Sequence, residues 1–174
     1  MIPIRTVRIR ICAVALLSFG AGIGIGHSPS PWSLLPLALW ALWCLGDFGP
    51  VPGAASAFFV RGALSIDRNF RMEGVDWWRA EEIESGAMGD ALAAYEAMRP
   101  KVVLSHDLPE SLLPRVLCGD RGFRSATGAL LDAMFRAHRP EVWYFGHHHR
   151  ALLFREDGTY FRCLEACELL EADL

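Results

Sequence analysis

The stretch Val142-Trp143-Tyr144-Phe145-Gly146-His147-His148-His149 decides the fold. Four apolar and aromatic residues end at a glycine, and three consecutive histidines follow. A short apolar run bounded by glycine is typical of a covered β-strand. The stretch therefore predicts a buried strand that carries imidazoles at its carboxyl end, and imidazole is a very common metal ligand.

The composition limits the classes of function. The chain has 174 residues, of which 52% are hydrophobic, and a formal net charge of −3. This length is enough for one domain with a hydrophobic core. The sequence has no basic stripe, so the signature of a nucleic-acid-binding protein is absent. Five scattered cysteines without a Cys-x-x-Cys pair indicate reduced thiols in a cytoplasmic protein.

An apolar N-terminal segment, residues 1–45, stands apart from the domain predicted for residues 46–174. Arginines precede two apolar runs, at 11–26 and 32–45, as they do beside a membrane-spanning helix. Each run is shorter than the roughly 20 residues that a span needs. A membrane anchor through residues 11–45 is therefore less favoured than a core strand and helix, and aberrant sequence is a third interpretation.

Strands and helices alternate in the rest of the chain. Strands are predicted at residues 60–66, 101–105, 141–145, 151–154 and 159–164, and helices at residues 90–98 and 125–138. Asp157-Gly158 between the last two strands is a strong hairpin signal, and the acidic tail is expected to fray or to form a short last strand. The alternation predicts an α/β fold in which a layered β-sheet core is flanked by helices.

Two earlier strand ends also carry metal-competent side chains. Asp47 follows an apolar run that ends at Gly46, and a loop is predicted at Pro50, Pro52 and Gly53. A turn or helix-cap aspartate is the commoner use of such a residue. His106 follows the strand at 101–105, where an ordinary core or surface histidine is the alternative.

The histidine run itself favours two of its three members as ligands. Alternate side chains of an extended segment point the same way, so His147 and His149 are expected to face one ion while His148 faces away. Asp47, His106, His147 and His149 are then the candidate ligands, and such a mixed set suits Mn, Fe or Zn. A separate aromatic pair, Trp77-Trp78, predicts either a ligand groove or, more commonly for Trp, a lid packed on the core.

These motifs resemble those of the calcineurin-like metallophosphoesterases. The family motif Gly-His-x-His matches Gly146–His149, the single-His motif matches Ser105–Pro109, and the Gly-Asp motif matches Gly46-Asp47. The resemblance covers about 45–164, and the form of Gly46–Gly49 and Gly62–Asp67 is similar to an actinobacterial and phage branch.

The resemblance implies a function and a ligand scheme. The expected activity is metal-dependent hydrolysis of a phosphoester, either a monoester or a diester, with one or two divalent ions. In the family scheme Asp47 would bridge both ions, His106 and His147 would hold one, and His149 would hold the other.

Two family motifs are absent from the sequence. Residues 1–45 contain no Asp-x-His, and residues 49–61 contain no Gly-Asn-His. Their absence predicts a fold that is truncated or internally deleted. Because a catalytic ion usually keeps three protein ligands, two-metal hydrolysis is expected to be weak or absent. The alternatives are a non-catalytic metal-binding relic of the fold and a membrane-attached protein with a metal site. The specific substrate and the oligomeric state are left open.

Overall fold

The computed structural model of the chain describes residues 8–12, 46–65, 68–75, 77–117, 124–165 and 168–173. Within these residues the strands form one sheet of six strands and a separate ribbon of two. In the ribbon, strand β1 (Arg8–Cys12) pairs antiparallel with strand β8 (Leu169–Asp173). The tail therefore forms the short last strand that its sequence allowed. The predictions for residues 13–45 fall outside the described residues.

The six-stranded sheet is mixed. Its strands are β2 (Phe48–Val51), β3 (Ala54–Val60), β4 (Val102–Ser105), β5 (Val142–Phe145), β6 (Leu152–Glu156) and β7 (Thr159–Cys163). Their order across the sheet is β2-β3-β4-β5-β7-β6. The four inner strands run parallel, and the edge strands β2 and β6 run antiparallel to their neighbours. The carboxyl ends of β3, β4 and β5 therefore meet at one edge, called here the carboxyl edge.

Three α-helices lie in the described part of the chain. They are α1 (Met88–Met98), α2 (Leu113–Val116) and α3 (Ala126–Ala137). Ser125 caps the amino end of α3, where its Oγ accepts a hydrogen bond from the Gly128 N–H at 2.8 Å. Both α1 and α3 contribute buried residues to the same core as the strands. The molecule is thus an α/β fold, as the alternating pattern predicted.

The core lies between α1, α3 and one face of the sheet. Phe58, Trp143 and Phe161 of the strands are fully buried, together with Leu131 and Met134 of α3. Trp143 stacks on Phe161 with 5.6 Å between ring centroids. Because β5 is packed in this way along its length, the residues beyond its carboxyl end leave the sheet from a fixed position.

The strand predicted at residues 60–66 is wrong in its placement. Strand β3 ends at Val60, and the following residues leave the sheet. Gly62 has φ +98°, and a Cβ there would stand 2.8 Å from the Glu81 carbonyl oxygen. Only glycine accepts this conformation and this approach easily. The chain therefore turns away at Gly62 and packs against residues 81–83.

The start of the sheet also differs from the prediction. Asp47 precedes β2 instead of closing a described strand, and Pro50 lies within β2. A proline is tolerated there because β2 is an edge strand. The hairpin of β6 and β7 is confirmed, with positive φ at both Asp157 and Gly158. None of the helices in the described residues is long and apolar enough to cross a membrane.

Candidate metal centre

His106 and His147 become neighbours because β4 and β5 end side by side. Leu104 of β4 is paired with Tyr144 of β5 in parallel register. Beyond the ladder, the Gly146 N–H donates a hydrogen bond to the His106 carbonyl at 3.1 Å. Two short sequence motifs that lie 41 residues apart thus converge at the carboxyl edge.

The two imidazoles are in direct contact. Nδ1 of His147 lies 3.3 Å from Nε2 of His106, and the ring centroids are 4.9 Å apart. The backbone of Leu64 also hydrogen-bonds the His147 ring. His106 is 6% exposed, and among the described residues no hydrogen-bond partner reaches its other nitrogen, Nδ1.

Burial keeps these imidazoles neutral. The pKa of His106 is lowered to about 3, chiefly by burial and next by the neighbouring His147, while Asp107 opposes the shift. Burial also lowers the pKa of His147, again against the attraction of Asp107. A neutral imidazole keeps a lone pair on one ring nitrogen, and this is the form that ligates metals. Both rings are therefore neutral, which is the charge state of a metal-ligating imidazole, and their facing nitrogens are within hydrogen-bond distance of each other.

Asp107 and His148 form a second buried pair beside the first. Nε2 of His148 lies 3.1 Å from Oδ1 of Asp107, and their side chains are 5% and 9% exposed. Burial alone raises the pKa of Asp107, but the hydrogen bond from His148, the nearby His147 and the Leu108 amide together bring that pKa below its usual value. Asp107 is therefore a buried carboxylate that ties the β4 end to the histidine run.

The histidine run turns where an extended segment was predicted. His147 and His149 have φ 64° and 52°, and the His148 N–H donates to the Gly146 carbonyl at 2.7 Å. In a turn the alternation of side chains no longer holds. His149 is exposed, whereas His148 faces inward to Asp107.

Asp47 lies at the same carboxyl edge of the sheet, but the partner of its side chain is Arg61. The Arg61 N–H donates to the Asp47 carbonyl at 2.9 Å, and the Arg61 guanidinium forms an ion pair with the Asp47 carboxylate. Both side chains are about 30% exposed. Because strand β2 is separated from β4 by β3, Asp47 stands about 10 Å from the His106 strand, given a spacing of about 4.8 Å per strand. The structure brings His106 and His147 together, and within the described residues Asp47 does not join them as a third member of a metal-holding group.

The donor set fits one metal position in part and does not fit two. Two nitrogens on a tetrahedral ion, each about 2.0–2.1 Å from it, stand about 3.3–3.4 Å apart, which matches the His106–His147 separation of 3.3 Å. A small cavity of about 30 Å³ adjoins His147, Asp107 and His148. The described residues nevertheless contain no group of three His, Cys, Asp or Glu side chains arranged to hold an ion.

Three contributors to this region were not among the candidate ligands. Asp107 stood in the quoted motif Ser105–Pro109, and its position next to His106 was the signal available. Arg61 and Leu64 follow a strand that was predicted at residues 60–66, six residues later than its observed span of Ala54–Val60. Nothing in the sequence pattern therefore indicated that these two residues lie near the carboxyl edge.

No family model matches the sequence, and no curated protein matches it.

Proposed function

We propose that this chain is a metal-dependent phosphoester hydrolase of the calcineurin-like type with one divalent metal position, held by His106 and His147. One observation carries the proposal: two neutral imidazole nitrogens stand 3.3 Å apart at the carboxyl edge of the sheet. Ligand sites of open α/β sheets lie at this edge. The proposed ions are Mn, Fe or Zn, which mixed imidazole and carboxylate sites accept.

A bound ion of this kind lowers the pKa of a bound water and polarises a phosphoryl oxygen. The protein's contribution is to hold the two imidazoles neutral and correctly turned. Burial keeps His106 neutral at physiological pH, and the Leu64 backbone anchors the His147 ring. A ligating histidine usually has such a backbone or carboxylate anchor on its second nitrogen. His106 Nδ1 lacks one among the described residues.

The other two sequence candidates serve this position less directly. Asp47 is engaged by Arg61, and His149 points outward from an exposed turn. The proposed enzyme therefore works with one ion, and slowly, because a catalytic ion usually has three protein ligands. We place it in the cytoplasm, because the five cysteines are odd in number, scattered and without a Cys-x-x-Cys pair, which is the pattern of reduced thiols.

The second candidate function is a non-catalytic metal-binding domain. The Asp47–Arg61 ion pair favours it, since it occupies the carboxylate that the family scheme assigns to both ions. The two candidates share the metal position and differ only in turnover. Metal binding and hydrolysis must therefore be measured on the same preparations.

The test is titration of the metal-free protein with Mn²⁺ by calorimetry, followed by hydrolysis of bis(p-nitrophenyl) phosphate. We expect one ion per chain, and loss of at least about 100-fold in affinity in His106→Ala or His147→Ala, because outer-shell changes alone cost about 10–100-fold. The matched variants Asp47→Ala and His149→Ala should change affinity less than about threefold, within the range of an exposed contact.

Each outcome separates the candidates. Metal-dependent hydrolysis that disappears in His147→Ala supports the enzyme. One bound ion without hydrolysis supports the non-catalytic domain. Two tightly bound ions, or equal losses in Asp47→Ala and His106→Ala, would overturn the single-ion proposal, and the absence of any Mn²⁺ binding would overturn both candidates.

A further inference from the structure

Strand β6 forms an open edge of the six-stranded sheet. In the described part of the chain it pairs with β7 alone, so one side of its backbone has no strand beside it. Its middle residue, Leu153, is 66% exposed. An exposed edge of this kind is a template for pairing with another chain. The edge at β6 is therefore the place where the sheet can be extended.

The opposite edge, at β2, is protected against such pairing. Strand β2 contains Pro50, and its register with β3 shifts between Pro50 and Val51. Proline removes a hydrogen-bond donor, and an irregular register bends the edge, so both features oppose the addition of a strand. Strand β6 (Leu152–Glu156) contains no proline and keeps a continuous register with β7. Of the two edges, β6 is the one suited to a partner strand.

The hydrogen bonds of β7 show which backbone groups of β6 point outward. The Tyr160 N–H donates to the Glu141 carbonyl at 3.0 Å, so Tyr160 is turned toward β5 and away from β6. Arg155 lies opposite Tyr160, and in an antiparallel pair the opposed residues either both bond each other or both face away. The N–H and carbonyl groups of Arg155 therefore point away from the sheet. Leu153, two residues earlier, has the same orientation.

We propose that β6 pairs antiparallel with β6 of a second copy of this chain, about a two-fold axis at Leu153. In this register the Leu153 backbone groups of the two copies bond each other, and those of Arg155 bond Ala151 of the second copy. An axis at Phe154 would instead set Ala151 against the turn at Asp157. The two sheets become one continuous sheet, and this pairing does not depend on the metal position.

The side chains around the axis are self-complementary. Leu153 meets its own copy on the exposed face of the sheet, where each buries apolar surface against the other. On the core face, Leu152 lies opposite Phe154 of the second copy. The Arg155 guanidinium lies over the Tyr160 ring, 5.0 Å from its centroid. This charge is thus held over β7, and it leaves the edge clear for the second strand.

Opposite charges come together at both ends of the paired segment. Arg150 of one copy falls opposite Glu156 of the other, and the two-fold axis repeats this pair; opposite charges across strands favour pairing. Each side chain also has a local contact, since Glu156 Oε2 binds Arg115 at 2.7 Å and Arg150 Nη1 donates to the Val116 carbonyl. The second carboxylate oxygen of Glu156 and the other guanidinium nitrogens of Arg150 serve the ion pair between the copies.

Sedimentation velocity of the full chain, at concentrations from about 10 μM to about 1 mM, tests the pairing. We expect a weak dimer that dissociates on dilution, because a single strand pair is a small interface. Leu153→Lys places like charges on the axis and should weaken the dimer at least about tenfold. Phe70→Lys, at a side chain that is 92% exposed in the loop between β3 and α1, should leave it unchanged. A monomer at every concentration, or equal losses in the two variants, would overturn the proposal.

Charge reversal at the two ends tests the register. Arg150→Glu or Glu156→Arg sets like charges opposite each other, so each variant alone should dimerise at least about tenfold more weakly than the wild type. An equimolar mixture of the two should recover the wild-type dimer, because each Glu then faces an Arg of the other variant. Circular dichroism checks that each variant is folded. A mixture that associates as weakly as its separate components would overturn the axis at Leu153.

Discussion

His106 and Asp47 lie at the same edge of one sheet, yet their surroundings are opposite. His106 follows an inner parallel strand, is 6% exposed, and meets His147 and Asp107. Asp47 precedes an antiparallel edge strand, is about 30% exposed, and is paired with Arg61. Inner strands have neighbours on both sides and a covered core face, so their ends converge in a dry environment. An edge strand has one neighbour, and its charged end finds a local partner near water.

Sequence motifs that match a metal-binding family do not by themselves make a complete metal centre. Burial at the inner strand ends lowers the pKa of His106 to about 3 and leaves the imidazole neutral, with a lone pair on one ring nitrogen. At the edge, the Asp47 carboxylate is satisfied by a guanidinium, and a carboxylate so engaged is a poorer ligand. Four predictions test this contrast between the buried inner ends and the half-exposed edge.

The largest effect is expected from the core beneath the histidines. Trp143→Ala removes a fully buried indole that stacks on Phe161 and donates to Ser105 Oγ at 2.7 Å. We expect the free energy of unfolding to fall by about 3–5 kcal/mol, as for other buried aromatic truncations. Urea denaturation measures it. Leu153→Ala, at a side chain that is 66% exposed, is the control and should change stability by less than about 0.5 kcal/mol; similar losses in the two variants would remove the contrast.

The second effect is a loss of stability in acid. The folded-state pKa of His106 is about 3, below its usual value of 6.5, so the unfolded chain binds more protons between these two pH values. Stability therefore falls as pH drops from 6.5 toward 3, by at most about 1.4 kcal/mol per pH unit for each such histidine. His147, whose pKa is also lowered, adds to the slope.

Chemical denaturation of the metal-free protein at pH 7, 6, 5 and 4 measures that slope. His106→Leu removes one titrating group and should flatten the curve, whereas exposed His149→Leu should leave its shape unchanged. A wild-type curve with no decline over this range would contradict the neutral, buried state of His106.

The third effect concerns Asp107, the carboxylate buried at the inner strand end. Asp107→Asn replaces the acceptor of the His148 and Leu108 hydrogen bonds with an amide, and we expect a loss of about 1–3 kcal/mol at pH 7. Because the folded-state pKa of Asp107 lies below its usual value, the wild-type advantage is present above the unfolded pKa and disappears as pH falls through the folded one. Thermal unfolding of both proteins at pH 7 and pH 3 should show the difference shrinking in acid; a constant difference would argue against a charged Asp107.

The smallest effect on stability is expected at Asp47, beside the edge strand β2. Asp47→Asn breaks a half-exposed ion pair with Arg61, and such pairs contribute less than about 1 kcal/mol. The difference should diminish further at high salt, because ions screen exposed charges. Urea denaturation of both proteins in 0.1 M and 1 M NaCl measures the loss of stability and its dependence on salt. A loss as large as that of Asp107→Asn would show that the edge pair is as important as the buried one.

Local patterns predicted the parts of the fold that are governed by local physics. The apolar run 142–145 is a strand because its alternating burial fits a sheet, and Asp157-Gly158 is a turn because both residues adopt positive φ. The helix predicted at residues 125–138 is observed at Ala126–Ala137, where Ser125 is the cap residue before its first turn. By contrast, β3 was misplaced because the departure at Gly62 depends on contact with the Glu81 backbone, and that contact is invisible in local sequence.

The sequence by itself determined which side chains with metal chemistry lie beside strands, because strand ends and histidine runs are local features of the chain. Only the tertiary structure decided which of them meet. The parallel register of β4 and β5 places His106 beside His147. A tight turn leaves His149 exposed and directs His148 inward to Asp107. At the edge strand, Asp47 forms an ion pair with Arg61. The physical reason is that a ligand set depends on distances of a few ångströms between strands distant in sequence, and strand order and burial set those distances.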